Sequence, residues 1–413
     1  MSTGVGKLPL TDQELRNTPV PVTFGSNYGN FGIDAGGRTR VAQITTLLDG
    51  KILGADDTSL FENIGTGTAT FAANKVDLAV TAGQYIIRQS KRFCPYFSGK
   101  AQLIELTSDN FQGESGVIKR QGYFSSNPVA PYDSNFDGCF MEDNAGVKTF
   151  YIYNNGTVKM SKALVDMDNY AVVSGYNYSN FTVFAIDFLW LGGAILRVWL
   201  KTDLGFVLLH TFNYAGTDDD TFMLSPNQPL RYEVRSTGGA GSLHYICSQV
   251  ATEGSIDEAG KTLSTLNYTS VTTNLVGTIY ALKGIKKQTT FRDTPIQILQ
   301  VAVSITASTD AGVILMIVNP TLSAPLTYTN NSKIQDGNPT NPAAPPTITV
   351  GTGRVIAALP IGNGTAGSTD VLKENFLSFL SSTINNTMDE YVLAYMPTTN
   401  NQTVNGVINI KEF

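Results

Sequence analysis

The sequence is poor in charged residues, histidine and cysteine, and these shortages exclude several kinds of chemistry. Charged residues make up 15% of the 413, against about 25% in ordinary globular domains. The only two histidines, His210 and His244, sit among apolar residues in strand-like segments, where a lone histidine is usually structural. No nucleophile elbow, phosphate loop or HExxH motif occurs. We therefore expect no enzyme activity and no cofactor.

The three cysteines, Cys94, Cys139 and Cys247, are odd in number and widely spaced. They match neither a CxxC pair nor a Cys/His metal spacing, so they predict reduced, buried thiols of a protein assembled in a cytoplasm. The first ten residues contain no apolar signal-peptide core. The longest apolar run, 181–200, contains Asp187 and Arg197 and fails as a membrane span.

Basic stripes are also missing. The net charge is −6 and the isoelectric point is near 5.1, which argues against a nucleic-acid partner. What the chain does contain is 39 Gly, 18 Tyr and 21 Phe, with 42% hydrophobic residues. Such a turn-rich composition favours an all-β fold of antiparallel β-sandwich domains, of jelly-roll or concanavalin-like type, with an extended N-terminal arm.

The length fits two domains. We predict an arm over 1–37, a large sandwich over 38–255, a connecting segment over 256–290 and a C-terminal sandwich over 291–413. A proline-rich surface loop is expected from Ile334 onward, and a helix over Asp370–Ser381 from its 3.6-residue apolar period. Asn155-Gly156 predicts a hairpin turn.

Strand patterns are densest in the middle of the chain. Residues 180–190 are nearly continuous in apolar side chains, which suits a strand buried on both faces. The segment 230–235 alternates, so Leu230, Tyr232 and Val234 should point inward and Arg231, Glu233 and Arg235 outward.

The arm is predicted from residues 10–23, LTDQELRNTPVPVT. Thr11 and Glu14 have the spacing of a helix capping box. Pro19 and Pro21 then impose extended geometry and lack backbone donors. Such an arm acts only by docking, and the residues predicted to make the contact are Leu10, Leu15, Arg16, Pro19, Val20 and Val22; the alternative is that the arm packs on its own domain.

Three other groups of side chains have both a functional and a structural interpretation. Asp218-Asp219-Asp220 is either a calcium loop or a solvated turn, and its spacing does not match a D-x-D-x-D-G loop. Asp187, Glu233 and Glu253 are the candidate carboxylates for glycoside hydrolysis, which requires a facing pair. Tyr176 and Tyr178 either stack on sugar rings or cap a sandwich edge. None is predicted to be a metal or catalytic site.

The arm tract and several further runs resemble the virion structural proteins of tailed bacteriophages. The runs are 117–124 (VIKRQGYF), 186–193 (IDFLWLGG), 225–233 (SPNQPLRYE), 246–254, 385–389 and 406–412. The resemblance implies that this protein is a β-structured component of the virion. It also implies contacts with other virion proteins of capsid, portal or tail, and homo-oligomeric assembly.

Four functions are compatible with these features. The first is a non-enzymatic virion component, such as a capsid decoration, head fibre, collar or tail protein, docked through its arm. The alternative is a fibre or spike module that recognises host-surface glycan. A polysaccharide depolymerase would need two carboxylates across a cleft. A cellular lectin is disfavoured by the missing signal peptide and the unpaired cysteines.

Overall fold

The structure, a computed structural model, describes residues 34, 35, 37, 44–254, 260–265, 270–305, 311–362, 366–370 and 379–413, with 366–370 described by backbone alone. The fold is all-β with antiparallel sheets, as predicted. Within the described ranges, no helix is long and apolar enough to cross a membrane.

The N-terminal half contributes fifteen strands to two sheets. A 3₁₀ turn, Leu164–Asp166, and a one-turn helix α1, Tyr170–Val173, follow the tenth strand. The strands are β1 Ile44–Lys51, β2 Phe61–Gly65, β3 Thr68–Ala72, β4 Lys75–Val80, β5 Tyr85–Ser90, β6 Gln102–Asp109, β7 Val117–Ser125, β8 Asp137–Asn144, β9 Val147–Asn154, β10 Thr157–Ala163, β11 Thr182–Leu189, β12 Ile195–Thr202, β13 Gly205–Asn213, β14 Leu230–Ser236 and β15 Gly241–Glu253.

These strands form a sandwich. Sheet I has the order β13-β12-β11-β6-β15-β4-β3, with β1 also paired to β15, and sheet II has the order β10-β9-β8-β7-β14-β5-β2. Their facing sides share one core, to which sheet I contributes Ile104 and Val198 and sheet II contributes Tyr123 and Tyr232. Burial of this alternating apolar face drives the two sheets together.

The C-terminal half builds a second sandwich. A 3₁₀ turn, Thr289–Phe291, follows its third strand. The strands are β16 Lys261–Ser264, β17 Val271–Thr273, β18 Tyr280–Lys287, β19 Ile296–Ile305, β20 Gly312–Val318, β21 Thr327–Asn331, β22 Ile334–Asn338, β23 Arg354–Ile361, β24 Ala366–Asp370, β25 Tyr391–Pro397 and β26 Gln402–Glu412.

Sheet III has the order β16-β26-β19-β24, with β17 also on β26, and sheet IV has the order β21-β22-β18-β25-β20-β23. A second apolar core lies between them and includes Val301, Ile408, Met316 and Leu393. Strands β16, β17 and β18 fall within the stretch 256–290, which the sequence analysis assigned to a connection, and they pair with strands of this second sandwich.

Local sequence patterns explain several of these elements. Asn155 and Gly156 have φ of 42° and 90°, the left-handed pair that a tight β9–β10 turn requires. Leu230, Tyr232 and Val234 point into the core as predicted. However, the prediction that the charges of β14 face solvent is wrong, because Arg231 and Glu233 are fully buried beneath the loop that precedes β8.

Two predicted elements differ in the C-terminal half. Residues 334–338, assigned to a surface loop, form the interior strand β22, in which Ile334 and Asp336 are buried. The predicted helix 370–381 is wrong at both ends, because Asp370 pairs with Gln300 in a strand and Phe379 forms a bridge to Gln297; its middle, 371–378, lies outside the described residues. The capping-box residues of the arm, Thr11 and Glu14, also lie outside them.

The two sandwiches are in direct contact. The buried Arg92 guanidinium donates from Nε to the carbonyl oxygen of Phe379 at 2.9 Å. Arg292 donates to the carbonyl oxygen of Ser126, also at 2.9 Å. The rings of Phe97 and Phe413 pack edge to face with centroids 5.7 Å apart. Loops of both halves therefore meet along one boundary, which also holds a polar cavity.

Candidate functional site

The predicted docking residues of the arm, Leu10, Leu15, Arg16, Pro19, Val20 and Val22, lie outside the described residues. The cysteines are free, with Cys94 and Cys139 buried and Cys247 half-buried. Each histidine lies on a strand and has a carboxylate partner from another segment. The Nδ1 atom of His210 lies 2.8 Å from Asp168, and that of His244 lies 3.1 Å from Asp109.

Two of the three candidate carboxylates for hydrolysis are engaged by arginines. Asp187 is buried on sheet I and forms an ion pair with Arg197. Glu233 lies on sheet II, where Arg231, Arg120 and Arg235 hold its pKa far below the usual range despite complete burial. Glu253 ends β15 at the edge of its ladder with β1. The structure thus places Asp187 and Glu233 on different sheets.

The acidic run and the paired tyrosines are also accounted for by local contacts. Lys159 lies 3.0 Å from Asp218 and 2.9 Å from Asp220, so the run is a charge-paired turn. No group of three His, Cys, Asp or Glu residues suited to a metal ion occurs among the described residues. Tyr176 and Tyr178 pack against each other, and Tyr178 stacks on Phe184.

The strongest candidate site is a polar cavity of about 340 Å³ at the boundary between the sandwiches. Its volume lies in the range of small-molecule pockets. Asparagine, serine and threonine dominate its lining. The first sandwich contributes Phe93, Ser125, Ser126, Asn127, Pro128, Asn135, Asp137, Asn155, Leu224, Ser225 and Gln228; the second contributes Thr289, Thr290, Arg292, Asp293 and Asn386.

Asp137, the first residue of β8, organises one wall of this cavity. Its carboxylate accepts backbone N–H bonds from Leu224 at 2.7 Å and Ser225 at 3.0 Å, and an amide N–H from Gln228 at 2.6 Å. Burial raises the pKa of Asp137, and these donors act in the opposite direction. The carboxylate therefore fixes the 224–228 loop against β8. Its hydrogen bonds are made within the protein, so its role at the cavity is structural.

Gln228 carries the most informative atom of the site. Its Nε2 donates to Asp137 and, at 2.9 Å, to the carbonyl oxygen of Ser225. Since both partners are acceptors, the orientation of the amide is fixed and Oε1 is the remaining group. Gln228 is 1% exposed, and its Oε1 has no hydrogen-bond partner among the described residues. A buried acceptor left in this state costs about 1–3 kcal/mol.

Two further amide oxygens in the lining share this property. The Oδ1 atoms of Asn127 and Asn386 are buried and have no hydrogen-bond partner. Asn127 belongs to the first sandwich and Asn386 to the second, so acceptors from both halves line the same space. The arrangement suits a ligand that brings several hydroxyl donors.

Arg292 connects the two walls. Its Nη1 donates to the carbonyl oxygen of Ile384 at 3.2 Å and its Nη2 to that of Ser126. Burial lowers the pKa of Arg292, and Asp293 beside it acts in the opposite direction. The guanidinium is thus committed to backbone carbonyls, which disfavours an anionic ligand as the main occupant.

Sequence reasoning missed this cavity. In the sequence, the run 225–228 is notable only as part of a motif that resembles phage virion proteins. Asn386 belongs to a second such motif near the C-terminus. The runs Ser125-Ser126-Asn127-Pro128 and Asn385-Asn386-Thr387 gave a weak signal, since clustered Asn and Ser side chains mark turns far more often than sites. Only the contact between the two sandwiches brings them together.

Comparison with known proteins gives distant likenesses of fold. No family model matches the chain, and no curated protein matches it. A legume lectin-like domain from Entamoeba histolytica is 11% identical with a TM-score of 0.33, covering 52% of this chain and 100% of its own. The CBM2 module of the evolved Dit protein of Lactobacillus casei BL23 phage J-1 is 10% identical with a TM-score of 0.37, covering 52% and 99%.

The exoplasmic domain of VIP36, in a form bound to Ca²⁺ and Man3GlcNAc, is 12% identical with a TM-score of 0.34, covering 52% of this chain and 92% of its own. TM-scores this low carry no argument about function. The functional argument therefore rests on this chain's own residues.

Proposed function

We propose that this chain is a non-enzymatic structural component of a tailed-phage virion that binds a host-surface glycan in the cavity between its two sandwiches. The virion role is supported by the resembling runs, among them 186–193 and 225–233, and by the arm sequence at 10–23. The glycan role is carried by one observation: the buried, unpartnered Oε1 of Gln228 in a cavity lined by Asn, Ser and Thr.

The chemistry of the lining selects the ligand class. Sugar hydroxyls donate to amide oxygens and accept from amide N–H groups and threonine hydroxyls, so a polyol satisfies both kinds of group in the wall. The free acceptors of Gln228, Asn127 and Asn386 need hydrogen-bond donors. Sugar hydroxyls supply such donors, whereas ionised carboxylates have none. An apolar ligand would leave all three oxygens unpaired. It would remove water from the polar wall without forming hydrogen bonds that offset this cost.

The binding half of the proposal is tested by titrating the purified chain calorimetrically with oligosaccharides released from the host envelope. Asn127→Ala removes a free acceptor whose side chain makes no other bond. Asn386→Gly removes another at a position with φ of 66° that glycine tolerates. Each should weaken binding about fivefold, equivalent to one hydrogen bond of ~1 kcal/mol.

Asn330→Ala is the matched control, because Asn330 lies on β21, outside the cavity lining, where its side chain contacts Gln335. This variant should bind like the parent. If no envelope saccharide binds the parent, or if the control and the cavity variants weaken binding equally, the glycan assignment fails.

The virion half is tested by deleting residues 1–23. The truncated chain should keep its melting temperature and its saccharide binding, because the cavity residues all lie beyond the arm. It should no longer be incorporated into particles. Normal incorporation of the truncated chain would show that the arm is not the anchor.

A further inference from the structure

Each of the four open sheets ends in edge strands, and three of these edges are visibly protected within the described residues. The edge strand β10 carries Lys159 and Lys162, and charged side chains discourage pairing with another strand. The edge of β13 is covered by Asn169, which donates to the carbonyl oxygens of Leu209 at 3.3 Å and Leu208 at 2.7 Å. Edge strand β21, TYTNN, is short and polar.

The edge strand β23 is less protected, with one charged residue, Arg354, at its start and one proline, Pro360, near its end. Its sequence is RVIAALPI, and all seven residues after Arg354 are uncharged and apolar. Among the described residues, β20 is its only strand partner. Val355 is 53% exposed, and Ala358 and Pro360 are also exposed. A seven-residue apolar run along an edge, as at 355–361, invites another strand.

The arm sequence supplies a strand with an unusual property. In an extended chain, alternate residues direct their N–H and C=O groups to the same side. Thr18, Val20 and Val22 therefore present complete donor and acceptor pairs along one side. Pro19 and Pro21 fall on the other side and have no N–H. Such a strand pairs through one edge only, so it would complete a sheet and prevent further addition.

We propose that residues 18–23 of a neighbouring copy add to sheet IV beside β23 as a terminal seventh strand. The apolar Val20 and Val22 match the apolar edge, and the proline side faces solvent, where its missing donors are not needed. Twenty residues separate Thr23 from the start of β1 at Ile44, a reach of up to about 65 Å. The arm is thus long enough to reach a second molecule. This inference rests on the proposed docking role of the arm and names the surface that receives it.

Disulfide trapping on the full-length chain tests the pairing. In a Cys247→Ser background, single cysteines at each of positions 18–23 are placed in one tagged chain and Ala358→Cys in a second, untagged chain. Directly opposed residues of neighbouring antiparallel strands hold their Cα atoms about 4.5–5.5 Å apart, within the Cα separation that a disulfide spans. Mild oxidation should link the two chains, with yield that peaks at one arm position and falls at its immediate neighbours.

Two arm variants test the one-sided hydrogen bonding. Val20→Pro removes a donor from the pairing side and should lower the yield of the linked product at least tenfold. Pro21→Ala changes only the other side and should leave the yield unchanged. Equal effects of the two variants, equal yields at all six positions, or no linked product would each overturn the proposal. Melting of Ala358→Cys at the parent temperature verifies that the edge is intact.

The outcome is separable from the fate of the proposed function. If deletion of residues 1–23 abolishes incorporation but trapping fails, the arm anchors the protein at a different surface. If trapping succeeds but the deletion is incorporated normally, the arm joins copies of the chain without anchoring them to the particle.

Discussion

At the scale of single residues, the outer face of sheet II shows how charge is accommodated in this charge-poor protein. Glu233 is fully buried and contacts Arg231 at 2.5 Å and Arg235 at 3.0 Å. Arg120 joins it and extends to Glu142 at 2.7 Å. Three guanidiniums thus depend on one central carboxylate, with Glu142 and Asp133 as the outer counter-charges.

We expect Glu233→Gln to lower the free energy of unfolding by about 3–5 kcal/mol, since it leaves buried guanidiniums without their counter-charge. Glu142→Gln removes only a peripheral partner of Arg120 and should cost clearly less. Urea denaturation of both variants measures the difference. Because the pKa of Glu233 is held below the usual range, its contribution is present above pH ~4.5 and is lost only as pH falls through that depressed value. Equal losses for the two variants would refute the central role of Glu233.

The same face shows why burial is hard to read from sequence. The alternation of residues 230–235 correctly predicts which side chains point toward the core. It carries no information about the loop that returns over the other face, where Tyr132 and Pro131 supply carbonyl oxygens to Arg231 and Arg235. A contact between segments about 100 residues apart leaves no local pattern.

At the scale of elements, the apolar pattern predicts strands correctly where it is strong, as at β11 within 180–190 and β14 over 230–235. It failed at β22, because the Asp336-Gly337-Asn338 sequence is typical of turns. There the buried pair of Lys283 and Asp336, 2.9 Å apart, and the close contact of Gly337 with the Tyr328 ring make a strand of turn-forming residues. Tertiary contacts override local preference in such a strand.

Gly138 is one of the element-scale positions that leave no room for a side chain. It is the second residue of β8, directly after Asp137, and has φ of 111°. A Cβ there would lie 2.3 Å from the carbonyl oxygen of Tyr123 on the neighbouring strand. Gly205, with φ of 115°, has equally unusual backbone geometry, but no atom lies within 4 Å of an added Cβ.

We therefore expect Gly138→Ala to destabilise the fold by several kcal/mol more than Gly205→Ala, which carries only the backbone strain of about 1–3 kcal/mol. Thermal unfolding of the two variants gives the comparison. Gly138→Ala should also weaken saccharide binding, because Asp137 would move with β8. Similar melting temperatures for the two variants would show that the strands separate easily at this point.

At the scale of the whole molecule, the boundary between the sandwiches could not be predicted, since it depends on how two separately patterned cores meet. Two titratable groups lie along it. The carboxylate of Glu62 accepts a hydrogen bond from the Ile384 N–H, and burial raises its pKa to about 7. The ammonium of Lys287 donates to the carbonyl oxygen of Arg292, and burial lowers its pKa to about 7.

These two groups act over different pH ranges and in opposite directions. The contribution of Glu62 is fully present below pH ~4.5 and is lost as pH rises through 7, because the folded state favours the protonated acid. The contribution of Lys287 is present above pH ~10.5 and is lost as pH falls toward 7, because the folded state favours the neutral amine. The shifts of Glu62 and Lys287 correspond to roughly 3 and 5 kcal/mol, respectively.

The unfolding free energy should therefore pass through a minimum near pH 7. Urea titrations from pH 5 to pH 9.5 measure the curve. Glu62→Gln should flatten the acidic limb and leave the alkaline limb unchanged, whereas Lys287→Met should do the reverse. If the loss of stability near pH 7 is localised at the boundary between the sandwiches, cleavage of that boundary by a dilute protease should also be fastest near pH 7. A curve with no minimum, or one that both variants shift alike, would mean that neither group titrates in place and that the boundary opens to water.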